Sequence, residues 1–227
     1  MTAGRRAEGY RRPMSRDTGF DDEMAALLAD QARAAGQTPE EYIHDAVLAR
    51  LLRTPAGPAE AGRRVRDPNR LRSVWRTGLL DSPRAPVFER AVSITVESLR
   101  VPSAAIVLVD RDRVFYLGAV GLAPAFAEAR EAPLQTSVAA QVIESGADPW
   151  VVHDAASDSR LATHPAVRSG AVGAYLAHQL RDADDRAVGA LTAWHPRAHT
   201  WTTGEQRTMD DLTWVVRGLI FGEHVLD

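Results

Sequence analysis

His153-Asp154, Asp158, Arg160 and His164-Pro165 fall in one short stretch. An imidazole, carboxylates and a guanidinium so spaced are parts from which acid–base chemistry or anion recognition is built. His178 and His195 follow in two β-type runs, which raises a metal site as a second chemistry. No metal is expected, because those runs form a hairpin whose reversal carries His178 away from His195, and no cysteine supports them. All 27 basic residues are arginine, so Schiff-base lysines and the lysine of a phosphate-binding loop are excluded. The lack of cysteine also removes disulfides and thiol nucleophiles, and no Gly-x-Ser-x-Gly turn is present. An enzyme is therefore not the expected reading.

The elements that position these residues follow from periodicity. Trp150 to Val152 is a short strand ending at His153-Asp154. A crossing of about 18 residues separates it from the run Val172 to Leu180, long enough to be a lid or a binding loop. Arg181-Asp182-Ala183-Asp184-Asp185 is a polar turn, and Ala187 to Trp194 returns as the second arm of an antiparallel hairpin. Upstream, the pattern predicts helices from Pro68 to Thr77 and from Ala85 to Leu99, then strands Ala104 to Val109 and Val114 to Ala119. A loop containing Pro124 leads to a helix from Gln135 to Ser145, and Thr202 or Thr203 opens a long final helix. A body of about 150 residues buries roughly 68–70% of its unfolded surface, enough for a real core.

Ahead of this body the composition changes. Residues 1–16 carry five Arg against one Glu, and residues 1–19 read as a basic flexible arm with Arg5, Arg6, Arg11, Arg12 and Arg16 as candidate phosphate contacts. Residues 20–53 form a two-helix segment. Its second helix opens with the capping box Thr38-Pro39-Glu40-Glu41 and shows an apolar face of Ile43, Val47, Leu51 and Leu52. Two such helices cannot bury both faces alone, so a homodimer is expected. Residues 54–66, with two prolines and two glycines, read as a linker before the domain at 67–227. No run approaches 18 apolar residues and the N-terminus lacks an apolar leader core, so a cytoplasmic protein with no membrane partner is expected.

Several separated pieces, in order, resemble a GAF domain, a sensor module related to the PAS fold. They are Thr77-Gly78-Leu79-Leu80-Asp81-Ser82-Pro83, Ala105-Ile106-Val107-Leu108-Val109-Asp110, Val120-Gly121-Leu122, Val152-His153-Asp154-Ala155 with Asp158-Ser159-Arg160, Ala174-Tyr175, and Val188-Gly189-Ala190-Leu191. The resemblance spans about residues 67 to 221. It implies an α+β fold with an antiparallel sheet in the order 2-1-5-4-3, helices on one face and a ligand pocket under loops on the other. Ser137, Tyr175, Thr192 and Trp194 would then reach a small molecule, with Arg160 as loop anchor or anion partner. Trp150, Tyr175 and Trp194 also suit a plain sheet core. Where some relatives carry a Ser-x-Cys-x-His run, this chain has Ser137, Ala139 and Gln141, and Thr192 stands at a position where cysteine is frequent. The cofactor is therefore left open, with no covalent bilin and no sulfoxide reductase activity expected. The N-terminal helices resemble the helical part of a ribbon-helix-helix domain, which implies dimerisation and DNA as a partner. The ribbon would be Met14 to Phe20, where Asp17 opposes phosphate and Gly19 weakens the strand. DNA binding, dimerisation without DNA, and packing on the sensor all remain open at this point.

Overall fold

The computed structural model describes residues 29–30, 32–33, 36–42 and 64–222, and the chain divides into two units, 1–43 and 44–227. In the first unit residues 29–30, 32–33 and 39–42 are helical, and Gly36 takes a φ of 69° between them. The capping box is formed. Thr38 N–H donates to Glu41 Oε2 at 2.8 Å and Glu41 N–H to Thr38 Oγ1 at 3.3 Å, so two donors at the helix start are satisfied reciprocally.

The second unit begins with α1 (Pro68–Arg76), where Asp67 accepts from the N–H groups of Asn69 and Arg70 and proline occupies the first turn. Then come α2 (Pro86–Leu99), β1 (Ser103–Val109), β2 (Arg113–Val120), α3 (Pro124–Ala129) and β3 (Glu131–Pro133). A 3₁₀ turn at Leu134–Thr136 leads into α4 (Val138–Ser145). They are followed by β4 (Trp150–Val152), α5 (Pro165–Arg168), β5 (Ala174–Arg181), β6 (Ala187–His195) and α6 (Thr203–Phe221). At the tail of the stretch read as linker, Val65 is 1% exposed and joins the core, and Glu144 Oε2 accepts the N–H groups of Arg64 and Val65.

The strands form one antiparallel sheet in the order β3-β2-β1-β6-β5-β4. The expected 2-1-5-4-3 corresponds to β2-β1-β6-β5-β4, so the connectivity is as anticipated. One edge strand was missed. β3 has three residues, ends in a proline, and pairs only with β2, which is where a sheet tolerates proline. Two short helices were also absent from the expectation: α3 in the loop after β2, and α5 inside the crossing.

β1 is buried along its whole length because both faces of the sheet are covered, which is why Ala104 to Val109 is a continuous apolar run. On one face Ile106, Leu108, Leu176, Leu180 and Leu191 pack with Val74, Phe88, Val92, Met209 and Val216 of α1, α2 and α6. On the other, Ala105, Val107, Tyr175, Ala177, Ala190 and Trp194 pack with Val138, Val142 and Ile143 of α4 and with Ala155 and Leu161 of the crossing. Gly189 sits where β6 lies between Leu108 and Leu180, and a Cβ there would collide with the Val107 carbonyl. The β5–β6 turn is built by Asp182, whose Oδ1 accepts from Asp184 and Arg186 N–H.

Candidate functional site

Strand alternation places Tyr175, Thr192 and Trp194 on one face, with Tyr175 opposite Trp194 and Thr192 opposite Ala177. Tyr175 is 4% exposed and lies between two indoles. Its ring centroid is 5.9 Å from Trp150 at an interplanar angle of 74° and 6.4 Å from Trp194 at 22°. The Thr192 hydroxyl donates to Ala105 O at 3.2 Å. Burial pushes the Tyr175 phenol well above its usual range, the nearby Thr192 hydroxyl opposes that, and the neighbouring Tyr116 phenol adds to it. Ser137 is buried at the start of α4, the helix covering this face, and makes no side-chain cap to it. Four of the five expected site residues are thus placed on, or next to, one enclosed face.

Arg160 stands outside that enclosure. Its side chain is 44% exposed, its Nε donates to Asp158 Oδ1 at 2.9 Å and its Nη2 to Val151 O at 3.2 Å. Cζ lies 5.0 Å from the Trp150 ring centroid, so the guanidinium is stacked over the indole. The pair with Asp158 is local, and its guanidinium is open to water although the carboxylate is only 17% exposed, which lowers its expected worth. Arg160→Ala should cost about 0.5–1.5 kcal/mol in chemical denaturation, from a surface pair plus the lost stacking. A loss above about 3 kcal/mol would mean the guanidinium is buried in solution.

Two polar atoms on this side of the sheet have no partner. Trp150 is 1% exposed and its Nε1 makes no hydrogen bond; His164 is 4% exposed and its Nε2 makes none. His164 is the N-cap of α5, where Nδ1 accepts from Ala166 N–H at 3.2 Å. Nδ1 is thereby the acceptor, and Nε2 of the neutral ring carries the proton. Both orphans are donors. The pairing of His164 with Pro165 was the sequence signal for this cap.

Burial lowers the His164 pKa to about 4 from 6.5. The unfolded state therefore binds this proton first on acidification. The stability associated with the neutral ring is complete above pH 6.5 and is lost as pH falls toward 4, by about 3 kcal/mol in all. His164→Asn keeps a capping acceptor and should flatten that part of the profile. Denaturant midpoints between about pH 4 and 7 check this, and equal acid sensitivity in both proteins would refute it.

Other histidines are occupied by structural contacts. His153 Nδ1 accepts from Trp201 N–H at 3.0 Å, and His199 Nε2 lies 2.8 Å from Glu205 Oε1. His195 and His199 stand four residues apart with rings 6.0 Å from each other, a His-x-x-x-His spacing that corrects the expectation that the sequence holds none. Among the described residues no group of three or more His, Asp or Glu side chains is placed to hold a metal ion. No described helix is long and apolar enough to cross a membrane. Arg5, Arg6, Arg11, Arg12 and Arg16, the ribbon residues 14–20, and the face of Ile43, Val47, Leu51 and Leu52 lie outside the described residues.

No protein-family model matches this chain, and no curated protein matches it. Solved structures do. The GAF domain of an Acinetobacter phosphoenolpyruvate-protein phosphotransferase superposes with a TM-score of 0.51 at 14% identity, over 69% of this chain and 93% of that one. A free methionine-R-sulfoxide reductase from Neisseria meningitidis, solved with its substrate, gives 0.48 at 16% identity, over 66% and 86%. The GAF-B domain of DevS from Mycobacterium smegmatis gives 0.43 at 19%, over 61% and 95%. The first of these establishes that the chain contains the GAF fold. The ribbon-helix-helix likeness of residues 20–53 receives no support from them.

Proposed function

We propose that this chain is a cytoplasmic regulatory module of the GAF type that holds a small molecule non-covalently against the β5–β6 face. Residues 20–53 pair two copies and carry the response toward DNA, as in a transcriptional regulator. The observation that supports ligand binding is the pair of orphaned donors, Trp150 Nε1 and His164 Nε2, on the side of the sheet that carries Tyr175 and Trp194. Buried donors are nearly always satisfied in folded proteins, so two on one side call for a ligand bearing acceptors. Tyr175, Thr192, Trp194 and Ser137 supply the walls, and Arg160 braces the crossing at the rim. The reading is non-catalytic, since a chain without cysteine lacks the nucleophile or redox group such a site would use.

A second reading is favoured by the packing of Trp150, Tyr175 and Trp194, each at most 8% exposed. Under it the aromatic group fills the space, and the protein is an interaction module that binds neither ligand nor DNA. Native mass spectrometry of the purified full-length chain separates the two. The first predicts a dimer with a retained non-covalent mass, whereas a dimer of bare chains that binds nothing supports the second. The DNA part has its own test. Binding to duplex DNA should weaken with salt by about 0.9 in log–log slope per phosphate neutralised, and deletion of residues 1–19 should abolish it.

A further inference from the structure

On the opposite side of the body, between β5 and α6, lies a polar cleft of about 310 Å³, the size of a small ligand. Its α6 wall carries Asp210, Trp214 and Arg217, three, four or seven residues apart and therefore on one stripe of the helix. Across from them stand His178 of β5 and Asp148 of the loop before β4. His178 is 6% exposed; its Nδ1 is 3.3 Å from Asp148 Oδ1 and 3.6 Å from Asp210 Oδ1, while its Nε2 is buried without a partner. Arg217 Nε is likewise buried without a partner. Trp214 is 56% exposed, a large ring left in water beside these groups.

Among the described residues Arg217 and Asp211 take part in no ion pair, although both line the cleft. The other cation there, Arg181, is already committed, donating to Gln179 Oε1 and to Asp185 O, both at 2.9 Å. A guanidinium that lines the cleft and takes part in no ion pair is best met by a carboxylate, which it can bind in a fork. A simple anion is penalised here by Asp148, Asp210 and Asp211, and a simple cation by Arg217 and Arg181. We propose that this cleft binds a small zwitterion of the amino-acid class, with its carboxylate on Arg217, its ammonium between Asp210 and Asp211, and an apolar side chain against Trp214.

The test is titration calorimetry of the full-length protein with L-phenylalanine, its methyl ester and its N-acetyl derivative. A ligand of this size in an open cleft should bind in about the millimolar range. L-Phenylalanine should bind at least about 10-fold more tightly than either singly charged analogue, and R217Q should weaken it by a similar factor. R217K, which keeps the charge and loses the fork, should fall between them, and D210N/D211N should erase the preference for the zwitterion over the N-acetyl form. Three results would overturn the proposal. They are no saturation by about 10 mM, an N-acetyl derivative that binds as well as the free amino acid, or binding that survives R217Q and D210N/D211N and is lost in Tyr175→Phe, which would place the ligand on the aromatic face.

Discussion

Arg70→Ala should lower the unfolding free energy by about 3–5 kcal/mol, a large part of the roughly 5–15 kcal/mol that holds a domain together. Arg70 is 4% exposed and spends its donors on backbone carbonyls. Nε and Nη2 reach Val65 O at 3.0 and 2.5 Å, and Nη1 reaches Val109 O at 2.7 Å and Ala187 O at 3.2 Å. One side chain thus ties the turn before α1 to the end of β1 and the start of β6. Desolvation lowers its pKa to about 10, with Asp110, Asp67 and Glu144 opposing, so it remains charged at neutral pH. Truncation removes charge-assisted bonds worth about 1.5–3 kcal/mol each to three carbonyls, those of Val65, Val109 and Ala187. Arg70→Lys should recover less than half of the loss, because an ammonium cannot span carbonyls on three separate elements. The check is the denaturant midpoint at unchanged slope. A shift worth under about 1 kcal/mol for Arg70→Ala would show that water replaces the guanidinium without cost.

The role of Arg70 depends on residues 39 and 117 positions away, which is why no pattern in the sequence announced it. Local signals fared better. Asp67-Pro68 and Thr202 with Glu205 mark the starts of α1 and α6, and both caps are formed as hydrogen bonds. The grouping of Tyr175, Thr192 and Trp194 came from the resemblance, and the register that puts them on one face is set beyond a bulge at Leu180/Arg181, which the turn residues alone do not show. The missed elements, α3, β3 and α5, have six, three and four residues, too few for a periodicity to show. The missing partners of Trp150 and His164 were invisible for another reason. Satisfaction of a donor is set by what the crossing brings over it, and nothing in residue type records that.

Tyr175→Ala should cost about 3–5 kcal/mol, more than the modest loss a pocket-lining ring would give, because the ring is enclosed by Trp150 and Trp194. Tyr175→Phe keeps the volume and removes only the hydroxyl beside Thr192, so about 1 kcal/mol is expected. The two variants separate packing from recognition. If the face is solid core, the alanine variant holds an apolar cavity between two indoles, and a small aromatic such as phenol should raise its melting temperature while leaving the wild type unmoved. If the face is a ligand site, the retained mass in the wild-type spectrum should weaken in Tyr175→Phe and vanish in Tyr175→Ala, both measured where each protein is folded. A wild type stabilised by its own ligand, and a phenylalanine variant that has lost that gain at little cost in intrinsic stability, would establish sensing. Rescue of the alanine variant by phenol, with no ligand on the wild type, would instead make Tyr175 the plug of a pocket that has been filled.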